Sequence, residues 1–88
     1  MNFDMLDKLT QIEKNLSLNI TSYRYAQVDG DRIYFIFNKP QPSRFLKSKE
    51  VITVYTSIRI HIHIKDLEYF DAKRITIMIV NDFLRETL

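Results

Sequence analysis

An 88-residue chain with no cysteine and a net charge of +2 forms one small domain, without a disulfide framework or a thiolate zinc site to staple it. No apolar run approaches the ~20 residues a membrane helix needs, and nothing at the amino terminus reads as a basic-then-apolar signal peptide. The expectation is a soluble, cytoplasmic protein that does not engage a membrane.

The small net charge conceals a division. Residues 19 to 65 hold eight basic groups (Arg24, Arg32, Lys39, Arg44, Lys47, Lys49, Arg59, Lys65) against Asp29, Asp31 and Glu50, a balance of +5. The rest of the chain holds five basic and eight acidic groups, a balance of −3. Such a dipole steers a polyanion or an acidic protein surface toward the middle segment.

In chain order, Met5, Leu9, Ile12 and Leu16 recur at helical spacing, with Asp7, Lys8, Gln11, Lys14 and Asn15 around the remainder of the wheel. Asn2 or Asp4 caps the start of this helix. After Leu16 the pattern turns to alternation. Tyr23 and Tyr25 sit in a β-rich run, Asp29-Gly30-Asp31 is a turn cluster, and Ile33, Phe35 and Phe37 share one face of a second strand. A two-residue Asp29-Gly30 loop would bury Arg24 beside Phe35. An odd-length loop with a bulge at Gly30 instead sets Tyr23 and Tyr25 beside the Phe35 face and groups Arg24, Arg32 and Tyr34 on the other.

Lys39 to Glu50 reads as a basic loop carrying Phe45 and Leu46, because Pro40 and Pro42 exclude a central strand. Residues 51 to 65 form the longest period-two stretch. Ile52, Val54, Ile58, Ile60, Ile62 and Ile64 point one way; Tyr55, Arg59, His61, His63 and Lys65 point the other. The carboxy-terminal segment carries Ile75, Ile79, Val80 and Phe83 on one helical stripe behind an Asp71 cap. The other reading of residues 74 to 80 is a fourth strand followed by a short helix, since the run is rich in β-branched residues. The fold class is therefore α+β, a single domain over residues 1–88: helix, three-stranded antiparallel sheet, helix.

No motif names a reaction. A single glycine leaves no phosphate-binding loop, and no Ser-His-Asp spacing implies a triad. His61 and His63 have the spacing by which two imidazoles reach one metal ion, but no third ligand sits in a metal pattern, and neither a metal nor a cofactor is assigned. The same pair, with Arg59 or Lys65, is the only suggestion of a histidine-based ribonuclease, and the reading adopted is non-enzymatic.

Binding chemistry is better represented. Arg24, Arg32, Tyr34, Tyr55, Arg59, His61, His63 and Lys65, bordered by Arg44, Lys47 and Lys49, combine cations for phosphates with aromatic planes for bases. The element order is similar in topology to the double-stranded RNA-binding domain over most of the length. That family opens its second helix with a lysine cluster; here Lys73 and Arg74 stand among Asp66, Glu68 and Asp71, and no functional residue is carried over. The expectation is a binder of RNA or single-stranded nucleic acid, with a regulator or inhibitor docking on an acidic protein as the alternative. Twelve isoleucines suit a low-GC bacterium or a phage-encoded, viral protein. A homodimer is expected, because the long third strand would otherwise keep an uncovered edge.

Overall fold

The computed structural model describes residues 1–43 and 52–87, in the order α1 (Phe3–Asn19), β1 (Tyr23–Asp29), β2 (Arg32–Ser43), β3 (Ile52–His63), α2 (Asp66–Tyr69) and α3 (Ala72–Thr87). The strands form one antiparallel sheet in the order β1-β2-β3. α1 starts where Asn2 Oδ1 accepts the Met5 amide at 2.9 Å, satisfying a donor that the first helical turn leaves free. Met5, Leu9, Ile12 and Leu16 all end up buried.

The carboxy-terminal segment is a helix, not a fourth strand. Asp71 Oδ1 accepts the Arg74 amide at 2.8 Å, and Ile75, Ile79 and Phe83 form the buried stripe. One face of 3.6-residue periodicity and a cap outweigh the β propensity of the isoleucines. The short α2 was not expected. It is fixed by Lys8 of α1, whose Nζ donates to the carbonyls of Leu67 at 2.7 Å and Phe70 at 3.3 Å, placing a cation where helix carbonyls end unpaired.

Both long helices cover the same side of the sheet. There Ile33, Phe35, Phe37, Ile60 and Ile62 meet Ile12, Leu16, Leu67, Ile75 and Ile79 in one cluster. Phe37 packs edge-on to Tyr23 at 5.3 Å between centroids and lies 4.6 Å from Phe83. Each such buried side chain contributes about 1.5 to 3 kcal/mol relative to exposure.

The β1–β2 turn corrects the expected register. Asp29 pairs with Arg32 across a two-residue Gly30–Asp31 loop. Gly30 has φ +62 and no other residue has a positive φ among those described, which is the signature of a type II′ turn with glycine first. The bulge lies at the other end of the strand: Tyr23 pairs with Phe37 and Tyr25 with Ile36, leaving Arg24 as the extra residue. Moving the turn by one residue sets Ala26 and Val28 against Phe35 and Ile33, and the bulge then reverses parity so that Tyr23, not Arg24, enters the core. Tyr25 is thereby on the outer face, not beside Phe35.

The expected basic loop is also shorter than its sequence suggests. Lys39 to Ser43 continue β2, with Pro40 opposite Tyr55 and Pro42 opposite Thr53; Arg44 to Glu50 lie outside the described residues. Prolines fit here because β1 has ended. The Asn38 amide is the last to bond on the β1 side, to Ser22 O at 2.8 Å. By alternation the amide positions of residues 40 and 42 face that same side, where no described strand pairs with β2, so proline takes no bond from the ladder. Beyond the Phe37–Ile58 pair six further rows continue the ladder, so β2 and β3 project as an arm by about 20 Å at 3.3 Å per residue.

Candidate nucleic-acid interface

The sheet face opposite the helices is built in rows. Asp29, Arg32 and His63 form one row; Gln27, Tyr34 and His61 the next; Tyr25, Ile36 and Arg59 the third. Pro40 and Tyr55 pair on the same face further out along the arm. Antiparallel pairing brings these side chains together because residues directly opposite share a face.

Within the rows the side chains are organised. The Arg59 guanidinium lies 5.0 Å from the centroid of the Tyr34 ring, diagonal to it across β2 and β3, a solvent-exposed cation over a π face. Tyr34 and His61 are directly opposite, with centroids 5.6 Å apart and planes inclined by 46°. The Tyr34 phenol pushes the pKa of the Arg32 guanidinium beside it further upward, first through a side-chain hydrogen bond and then through charge. Ile36 is buried although it points away from the helices, flanked in its row by Tyr25 and Arg59. Tyr25 and Tyr55 remain 53 and 61% exposed, so aromatic surface is available to a ligand.

His63 is already occupied. Its Nδ1 accepts the Lys65 amide at 3.1 Å and its Nε2 stands 3.1 Å from Asp31 Oδ2, so that the Nε2 proton faces the carboxylate. The Asp31 carboxylate also offsets positive charge at the turn end of the face. Among the described residues no three His, Cys, Asp or Glu side chains are grouped to hold a metal ion.

Of the residues expected in the site, Arg32, Tyr34, Tyr55, Arg59, His61 and His63 share this face. Arg24 does not. From the bulge, its Nη1 donates to the carbonyls of Thr21 and Tyr23 at 3.1 and 3.2 Å. Lys65 lies past the strand, as the residue that precedes α2. Arg44, Lys47 and Lys49 fall outside the described residues. Sequence reasoning missed Tyr25, Gln27 and Ile36. The signal was present: Ala26 and Val28 are apolar at even positions whereas Tyr23 is odd, a parity break that places a bulge between them.

At the outer edge of β3, Arg59, Ile60 and His61 line a cleft of about 430 Å³ with Asp82, Arg85 and Glu86 of α3. Arg85 is paired with Asp82 one helical turn away.

No family model matches the chain, and neither a curated protein nor a solved structure is significantly similar to it. The likeness to the double-stranded RNA-binding domain accordingly stays with the order of elements. At the start of α3, Lys73 and Arg74 are exposed and the Arg74 guanidinium lies 5.5 Å from the centroid of the Phe70 ring. No helix of the described residues is long and apolar enough to cross a membrane.

Proposed function

We propose that the protein binds single-stranded nucleic acid, RNA in the first instance, on the outer face of its sheet, without catalysing a reaction. The observation that carries this reading is the run of Tyr25, Tyr34, His61 and Arg59 across three adjacent strands, on the face opposite the described helices. Flat aromatic groups give bases a stacking surface whatever their sequence, and Arg32 and Arg59 supply charge for the phosphates between them. The engagement of both His63 nitrogens leaves His61 as a lone imidazole on this face, which favours binding over paired acid–base chemistry. A cysteine-free chain suits the reducing cytoplasm, where we place this role.

The second reading is a regulator or inhibitor that docks the same face on an acidic protein. Tyrosine and arginine around a buried isoleucine also make an interface hot spot. Binding of a mixed single-stranded RNA pool, titrated against salt, separates the two. The first reading expects a linear fall of log affinity with log salt, shallower by about 0.7 per lost phosphate contact when Arg32 and Arg59 are both replaced by Ala. Tyr25→Ala is expected to weaken binding by about 1 to 3 kcal/mol. Absence of RNA binding at low salt would overturn the first reading and leave the second.

A further inference from the structure

The three open edges of the sheet are not treated alike. On β1, the outward Ala26 amide donates to Glu13 Oε1 of α1 at 3.1 Å. On β2, beyond the end of β1, the outward positions are Pro40 and Pro42, which have no amide hydrogen. On β3, the outward His63 amide is taken by Asp66 Oδ2 at 3.0 Å. Alternation back from His63 turns the peptide groups of His61, Arg59, Ser57, Tyr55 and Thr53 to the same outer side, and no described residue bonds to these amides. Folded proteins cap, block or cover such edges, because an unpaired row of donors and acceptors templates another strand. Among the described residues this is the longest stretch left open; on β1 a single outward amide, that of Val28, is also without a bond.

We propose that this edge pairs with the same edge of a second copy, antiparallel about a two-fold axis at Thr56, giving a continuous six-stranded sheet. The side chains agree with that axis. Val54, which is 48% exposed, comes opposite Ile58 of the partner subunit, so two apolar residues on the helix side gain a cross-strand neighbour. Tyr55 comes opposite Ser57 of the partner subunit, and Arg59 opposite Thr53 of the partner subunit. An axis at Ile60 would instead set Arg59 against His61 and leave Val54 uncovered. The cleft between the β3 edge and Asp82, Arg85 and Glu86 leaves the room into which the partner's strand runs. An isologous pairing of this kind closes on itself, whereas an unsatisfied edge would extend into a filament.

The inference stands apart from nucleic-acid binding and is tested without it, by sedimentation equilibrium of the full chain across micromolar concentrations. The expected mass is twice the 10.6 kDa of one chain. Ser57→Pro removes an outward amide that the β2 ladder does not use, and is expected to give a monomer; Ser57→Ala is expected to stay dimeric. Val54→Lys changes a side chain exposed in a lone subunit and is also expected to give a monomer, which decides the matter if the proline variant fails to fold. A wild-type mass of one chain at every concentration, or a dimer that survives Val54→Lys, would overturn the proposal.

Discussion

The Tyr23 hydroxyl donates a hydrogen bond to Oε1 of Glu13, the same oxygen that accepts the Ala26 amide. One carboxylate of α1 thus holds β1 on both sides of the bulge at Arg24, and the bulge is what gives the outer face its Tyr25. Replacing Glu13 by Ala leaves a buried phenol and a strand amide without their partner, a loss of about 1 to 3 kcal/mol. Tyr23→Phe removes only one of the two bonds and is expected to cost about 1 kcal/mol. The two effects share an atom, so urea unfolding of the double variant should show a cost clearly below their sum. Additive costs would mean that the two residues act independently.

Alkaline stability follows from the same tyrosine. Burial, and then the hydrogen bond and the charge of Glu13, push the Tyr23 phenol above its ordinary value. The unfolded chain ionises near the free value of about 10 while the folded chain keeps its proton. Stability from this group is therefore complete below that pH and falls as pH rises through it, because the unfolded state then binds fewer protons than the native one. Urea midpoints measured on either side of that pH should fall more steeply for the wild type than for Tyr23→Phe. Equal slopes would show that Tyr23 ionises as readily in the fold as in the free chain.

Pro40 is expected to act on association more than on folding. Its position carries no ladder bond to β3 and faces an edge where no described strand pairs with β2, so Pro40→Val restores an amide there without breaking a contact in the core. The fold should change in stability by less than about 1 kcal/mol, while turbidity on standing rises, because β2 gains a donor on its outer edge. Unchanged turbidity would mean that the proline has another role.

The sequence determined every element whose hydrophobic period is long and unbroken. Met5 to Leu16 repeats at helical spacing next to Asn2 and reads as a helix from the chain alone, whereas Ile75 to Phe83 behind Asp71 left a strand open beside the helix, because its β-branched residues suit either. The alternation from Ile58 to Ile64 likewise determined a strand with an apolar face and a face carrying Arg59, His61 and His63. Tertiary structure decided what depends on pairing. Whether Tyr23 or Tyr25 enters the core rests on where β1 breaks register against β2, and Glu13, ten residues from Tyr23, helps to place that break. Whether Pro40 and Pro42 end a strand rests on where the neighbouring strand stops, since proline is forbidden only on a side that another strand occupies. The site is divided in the same way: the residue types of Arg59, Tyr34 and His61 are legible in the chain, but their cation–π and ring contacts exist because Tyr34 pairs with His61 and not with a neighbour one position away. A shift of one residue turns every side chain of a strand to the opposite face, and only the joined sheet fixes that choice.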